Sequence, residues 1–287
     1  MNGVGEFDHM VYLRVIEACN LHCAHCFIPN NPKRMSWEEV TAVPEQVRAF
    51  AKPGQTVLFQ LHGGEPTLLG PEFVRKLCVY LTQELADFTV RFSIQTNLMT
   101  FDLRWAQLYK EFFNANIGIS WDPEIRLMRM GRPESNQEFE SRYWSNVVEL
   151  KRSGISPYMV ITVTRPLIER FKNPSGLIEF LLERGISQVH FERLTRTGYA
   201  VTNWDYSSWI GRFLVSYRRF IREARSEKQP LNISPLDGLI DSVRRLRAGQ
   251  AGGYGCLSGA CDTRFHTIDG TTYYAACTAL TSEISNS

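Results

Sequence analysis

Short apolar runs rich in β-branched and aromatic residues recur along this chain. Between them lie longer stretches in which apolar residues return every three or four positions. The runs at 9–16, 56–61, 89–95, 116–120, 158–164 and 188–193 predict strands, and several lack a polar alternation, as strands buried on both faces do. The intervening stretches predict helices with readable ends. Ser36-Trp-Glu-Glu39 is a capping box, Gly70-Pro71 puts proline just inside a helix start, and Gly154 and Gly185 stand where C-terminal cap glycines belong. Strand-then-helix units in series imply a parallel sheet wrapped by helices. Six units fall short of a closed eightfold barrel. The expected fold class is therefore α/β, an open, partial (β/α)6 TIM-like barrel.

The pattern changes after residue 200. Residues 207–226 predict an amphipathic helix, apolar through Phe213, Tyr217 and Phe220 and basic through Arg212, Arg219 and Arg222. The basic side, like the later cluster Arg244, Arg245 and Arg247, reads as a solvated face. Residues 248–255, AGQAGGYG, read as a glycine-rich linker. Beyond it Asp269-Gly270 predicts a turn between TRFHTI and TTYYAAC. The expected division is a barrel over 1–227 and a linker helix with a small appended region over 228–287.

Composition excludes several classes. With 287 residues, 44% hydrophobic and 22% charged, the chain is neither disordered nor fibrous. A net charge of +2 gives no electrostatic case for a nucleic-acid partner. No apolar run reaches the roughly 18 residues of a membrane span, and the first residues carry no signal peptide. A cytoplasmic location is expected, and there an odd cysteine count argues against a disulfide framework.

Three of the seven cysteines, Cys19, Cys23 and Cys26, lie directly after the first predicted strand with the spacing C-x3-C-x2-C. Three thiolates in one short loop suit an iron–sulfur cluster or zinc, and zinc would need His22 or His25 to complete it. Cys78 stands alone in an apolar helical stretch and reads as a buried small hydrophobe. The second predicted strand runs into Gly63-Gly64-Glu65-Pro66. Glycines there let the backbone approach a ligand closely, and the glutamate supplies an anionic acceptor suited to the ammonium of an amino acid.

With these two motifs on consecutive strand ends, the sequence resembles the radical S-adenosylmethionine (radical SAM) superfamily over nearly the whole chain. The resemblance implies that Cys19, Cys23 and Cys26 hold a [4Fe–4S] cluster, that S-adenosylmethionine binds its fourth iron, and that Phe27 lies near the adenine. It implies a partial (β/α)6 barrel, reductive cleavage to a 5′-deoxyadenosyl radical, and an electron donor such as flavodoxin or ferredoxin. SIQTN, ending in Asn97, resembles the third-strand segment at the barrel mouth. ISWDP resembles the "SLDG" segment of the sulfatase-maturase and peptide-modifying branch, departing from it at Trp121 and Pro123. By that likeness Ser120 contacts the cofactor and Arg132 binds its carboxylate. FERLTRTGYA resembles the branch's sixth-strand segment, with Leu194 packing on the adenine.

The tail cysteines Cys256, Cys261 and Cys277 resemble the start of a SPASM or shorter twitch extension, which implies an auxiliary [4Fe–4S] cluster. His266, a substrate atom or a residue elsewhere would complete it, and a zinc or metal-free hairpin stays open. The branch favours a peptide or protein substrate, although little chain precedes the first strand to form a leader-binding domain. A small-molecule substrate is the alternative, and a non-catalytic iron–sulfur or zinc protein is the alternative of another class. Asp122, Glu192, His190 and His62 lie near predicted strand ends as candidates for an acid or base.

Overall fold

The computed structural model describes residues 7–28, 31–114, 117–128, 133–193, 215, 231–234, 243–249, 264–270 and 272–274. In chain order the elements are β1 (His9–Ile16), β2 (Leu21–Cys23), α1 (Trp37–Arg48), β3 (Thr56–Gly63), α2 (Pro71–Glu84), β4 (Thr89–Thr96), α3 (Leu103–Leu108), β5 (Ile117–Ser120), β6 (Arg126–Met128), α4 (Pro133–Arg152), β7 (Tyr158–Val163), α5 (Arg165–Arg170), α6 (Pro174–Glu183), β8 (Gln188–Arg193), β9 (Asn232–Ser234), β10 (Arg264–Asp269) and β11 (Thr272–Tyr274). The six predicted strands form the centre of one nine-stranded sheet, ordered β11-β10-β1-β3-β4-β5-β7-β8-β9. Every pairing in it is parallel except β10 with β11. Among the described residues the sheet does not close, which agrees with the open barrel expected.

Alternation along the strands separates two faces. Val11, Leu13, Val57, Phe59, Leu61, Ile94, Ile119 and Ile161 point to the helix layer and are fully buried. At about 25 cal/mol per Å² of apolar surface, this packing is the main stabilising term of the fold. The opposite face carries Met10 and Leu58 at its floor and Tyr12, Arg14, Gln60, His62, Ser93, Gln95, Ser120 and Tyr158 above, so the barrel interior turns polar toward the strand C-terminal ends. Gln95 Nε2 donates to Ser120 Oγ at 2.6 Å and Tyr158 Oη donates to Gln95 at 3.3 Å across it.

The helix ends follow their sequence signals. Ser36 and Glu39 form the reciprocal capping box, with Glu39 N donating to Ser36 Oγ at 3.1 Å and Ser36 N to Glu39 Oε2 at 2.6 Å. Gly154 and Gly185 adopt φ of 77° and 65° just beyond α4 and α6. Thr164, expected to end a strand, instead caps α5 by accepting from Leu167 N at 3.4 Å. The predicted helix over 207–226 lies outside the described residues but for residue 215.

Two features add to the sequence expectation. The tail hairpin does turn at Gly270, but it is hydrogen-bonded into the main sheet, with β10 running parallel beside β1. β9, three residues within the stretch expected as linker helix, adds an edge strand to β8. Among the described residues no helix is long and apolar enough to cross a membrane.

Candidate metal and cofactor centre

The parallel strands all deliver their C-terminal ends to one rim, where such folds assemble their sites. The cysteine loop leaves β1 there. Its base is closed by Glu17 N donating to Lys33 O and Met35 N donating to Val15 O, both at 2.9 Å. Inside the loop, β2 pairs antiparallel with β6, setting Cys23 opposite Arg126. Ala24 N donates to Ile125 O at 3.3 Å and Cys26 N to Cys23 O at 3.1 Å, which fixes the turn between the second and third cysteines.

Cys23 is buried, and Cys19 and Cys26 are half-buried. Leu21 N donates to Cys19 Sγ at 3.4 Å, Cys26 Sγ donates to Ile28 O at 3.5 Å, and Arg126 Nη1 lies 3.8 Å from Cys23 Sγ. Burial pushes the Cys19 and Cys23 thiols up to about 12. Glu65 adds to the rise at Cys19, and Arg126 opposes it at Cys23. Cys26 acts electrostatically on both other thiols, so the three share one neighbourhood. Buried thiols of this kind ionise when a metal supplies the compensating charge, and a backbone N–H on sulfur and a nearby guanidinium support the thiolate form. By its chemistry, though not as a closed cage for a single ion, the donor set suits a metal–sulfur group. Among the described residues no three His, Cys, Asp or Glu side chains form a group that could hold a metal ion. His22 is exposed, on the opposite side of β2 from Cys23, and His25 Nε2 faces Asp122 Oδ2 at 3.2 Å.

The diglycine segment meets this loop directly. Gly64 N donates to Ile16 O at 2.7 Å and Glu65 N to Ala18 O at 3.0 Å. A Cβ on Gly63, whose φ is +131°, would stand 1.8 Å from Ile16 O, and one on Gly64 would stand 2.3 Å from Ala18 O. The glycines thus bring the backbone close against the cysteine loop. Glu65 is held by the chain itself. It is 1% exposed, and its carboxylate accepts from Thr67 N, Thr67 Oγ1, Thr96 Oγ1 and Asn97 N at 3.2, 2.6, 2.7 and 2.7 Å. Four donors from the chain itself, three on Oε1 and one on Oε2, make it a strut between β3 and β4. Pro66, buried behind it, opens the 3-10 turn Pro66–Leu69.

Asn97, at the end of β4, donates through Nδ2 to Asn20 Oδ1 at 2.8 Å and lies 3.8 Å from Cys19 Sγ. Phe27 stacks on His62 with centroids 6.1 Å apart, and Tyr12 meets the other side of that histidine edge-on. Burial, helped by Arg14, lowers the His62 pKa to about 4. Ser120 projects into the interior and accepts from Gln95. Thus Cys19, Cys23, Cys26, Phe27, Gly63, Gly64, Glu65, Pro66 and Asn97 come together around β1, β3 and β4, with Ser120 further along the rim. Arg132, Leu194, Cys256, Cys261 and Cys277 lie outside the described residues.

Two side chains offered as chemistry, Asp122 and His266, take structural places. Asp122 is fully buried, accepts from Thr162 N at 2.5 Å and pairs with Arg126 Nη2 at 2.6 Å. Burial pushes its carboxyl up, but Arg126 and then His25 outweigh this and hold it well below the usual carboxylate range. It stays ionised and is unsuited to proton transfer. His266 is buried on the helix side, 3.1 Å from His9 Nδ1 and stacked on Phe50 with centroids 3.6 Å apart, so its ring belongs to the packing between β1 and β10. Trp121, where the sequence departs from the branch, is fully buried against Trp144 and Phe180. His190 and Glu192 do reach the interior face and bond each other at 3.0 Å. Sequence reasoning missed Arg126 and Asn20 as neighbours of the thiols. The spacing of Asp122 and Arg126 was the one hint, and the three-residue strands that align them carry no readable period.

Comparison with known proteins adds the following. The family described as the Radical SAM superfamily matches residues 13–169. A cysteine-type anaerobic sulfatase-maturating enzyme of Clostridium novyi is 32% identical over 153 residues, covering 50% of this chain and 40% of that protein. A serine-type anaerobic sulfatase-maturating enzyme of Klebsiella aerogenes is 23% identical over 219 residues, covering 74% and 53%. This chain spans about half the length of the curated relatives it matches. Among solved structures, native anSMEcpe with bound AdoMet superposes with a TM-score of 0.71 at 20% identity, covering 93% of this chain and 74% of that one. Streptococcus suis SuiB, also solved bound to its precursor peptide SuiA, superposes at 0.60 and 14% identity, covering 98% and 62%. At these identities the two structures speak for the fold.

Proposed function

This chain belongs to the Radical SAM superfamily, and from that premise we propose that it is a maturase that cleaves S-adenosylmethionine reductively and abstracts hydrogen from a peptide or protein side chain. Cys19, Cys23 and Cys26 would hold a [4Fe–4S] cluster, which when bound would supply the electron for reductive cleavage of S-adenosylmethionine. The observation that carries the reading is the junction of the cysteine loop with the diglycine loop, where Gly64 N donates to Ile16 O. It joins the diglycine loop to the end of β1, and Asn97 reaches the same loop at 3.8 Å from Cys19 Sγ.

The chain's own residues then divide the work. Glu65 and Asn97 hold the two loops in register. Gly63, Gly64 and Pro66 shape the backbone against which the amino acid end of S-adenosylmethionine lies. Phe27 offers a ring face beside His62 for the adenine. Ser120 offers a hydroxyl to the ribose or carboxylate. Arg132 and Leu194 complete the carboxylate and adenine contacts in this reading. The polar interior face beyond Ser120, from Tyr158 to His190, is where a substrate side chain would enter.

The peptide class is supported by relatives described as sulfatase-maturating enzymes and by neighbours solved with peptides. Cys256, Cys261 and Cys277 have the spacing for an auxiliary cluster. In that case anaerobically purified protein holds about eight iron atoms per chain, against about four for one cluster. A flavodoxin or ferredoxin is the proposed electron donor and the cytoplasm, where thiols stay reduced, the proposed location. The test incubates loaded, dithionite-reduced protein with S-adenosylmethionine and with cysteine- or serine-containing peptides patterned on sulfatase sites. The reading expects 5′-deoxyadenosine, formed faster with peptide and accompanied by a peptide mass change. No 5′-deoxyadenosine would remove the radical reading, and its formation with only a metabolite accepted would remove the peptide.

A further inference from the structure

We propose that Arg126 is a positioning residue that raises the reduction potential of the cluster held by Cys19, Cys23 and Cys26, acting through its guanidinium on the Cys23 sulfur. The inference rests on the cluster reading above and goes beyond it by assigning a residue that sets how readily the electron is accepted. The placement comes first from the backbone. β2 and β6 pair with Cys23 opposite Arg126, so the side chain is delivered to that sulfur by strand register.

The guanidinium then bridges two partners with two different nitrogens. Nη1 lies 3.8 Å from Cys23 Sγ and Nη2 lies 2.6 Å from Asp122 Oδ2. Asp122 is itself fixed by Thr162 N of β7 at 2.5 Å and by His25 Nε2 at 3.2 Å. The Arg126 side chain is only 12% exposed and that of Asp122 is 0% exposed, so the fork cannot swing out to water. Its charge acts on all three thiols.

Adding an electron to a thiolate-bound cluster adds negative charge. An N–H donor on a ligand sulfur and a cation beside it stabilise the reduced form more than the oxidised one, which raises the potential. Because Asp122 sits on the far nitrogen, the pair presents its positive end to the sulfur. Lysine would keep the charge and lose the planar two-sided fork.

The test compares full-length wild type, Arg126→Lys and the double variant Arg126→Met/Asp122→Asn, each loaded anaerobically and matched for iron. The double variant removes both charges together, so no buried carboxylate is left unpaired. Dithionite-poised samples read by electron paramagnetic resonance give the midpoint. At the wild-type midpoint the double variant should show about tenfold less reduced relative to oxidised cluster, a shift of about 59 mV downward for one electron. Arg126→Lys should shift the same way by less. A loaded double variant or lysine variant that titrates at the wild-type midpoint overturns the role of Arg126 while the cluster reading stands. A wild type without a reducible cluster overturns both.

Discussion

The backbone N–H of Asn97 donates a 2.7 Å hydrogen bond to Glu65 Oε2. Through that bond the end of β4 is tied to the diglycine loop of β3. The same asparagine reaches Asn20 and the Cys19 sulfur, so Glu65 acts on the cysteine loop at one remove. Glu65→Gln keeps the shape but turns an amide toward donors that need an acceptor. Losing charge-assisted bonds in a buried site costs about 2–4 kcal/mol. Urea unfolding of the metal-free protein should show that loss, and an unchanged midpoint would refute the strut.

The tight backbone contact makes a sharper contrast between glycines. Gly64→Ala places a methyl group 2.3 Å from Ala18 O, a position from which backbone must move. Gly154 also has positive φ, but nothing lies within 4 Å of a Cβ there. Gly154→Ala should cost about 1 kcal/mol and leave cluster loading intact. Gly64→Ala should abolish the cluster's visible absorbance after reconstitution. Equal loading of the two variants would contradict the loop junction.

Burial sets the reactivity of the metal-free thiols. With pKa values pushed up to about 12, Cys19 and Cys23 hold very little thiolate at pH 8. Relative to free cysteine near 8.5, alkylation by iodoacetamide should be about a thousandfold slower. Peptide mapping of partially alkylated metal-free protein measures this. Rates near that of free cysteine would show that the loop opens without metal.

His62 provides the pH dependence. Burial, with Arg14 beside it, lowers its pKa to about 4, whereas the unfolded chain titrates near 6.5. Between those values the unfolded state binds more protons, so stability rises with pH across the window and is fully present above about 6.5. His62→Gln should flatten that part of the stability profile. A wild-type profile already flat from pH 4 to 6.5 would show that His62 is not held neutral.

Much of this architecture was legible because its signals are local. The capping box at Ser36, the glycines at 154 and 185 and the apolar strand runs each carry their own geometry, and the sheet follows from their order. The cysteine spacing likewise announced its chemistry. What stayed hidden depends on contacts distant in sequence. Glu65 reads as an anionic acceptor, and only the fold shows Thr67, Thr96 and Asn97 converging on it. Asp122 reads as an acid or base until Arg126 and His25 close around it. The ribbon of β2 and β6, and the edge strand β9, are three residues long and show no periodicity to read. Trp121, where ISWDP departs from the branch, is helix-layer packing, its indole buried against Trp144 and Phe180.

The central claim is that three thiolates leave one iron open and that S-adenosylmethionine occupies it. Electron paramagnetic resonance of the reduced, loaded protein tests this most directly, recorded with and without S-adenosylmethionine and repeated on a variant with Cys19, Cys23 and Cys26 replaced by alanine. The account predicts a [4Fe–4S] signal whose shape changes on adding S-adenosylmethionine and a variant in which that responsive signal is gone. A signal indifferent to S-adenosylmethionine, or one that survives loss of the three cysteines unchanged, would contradict it.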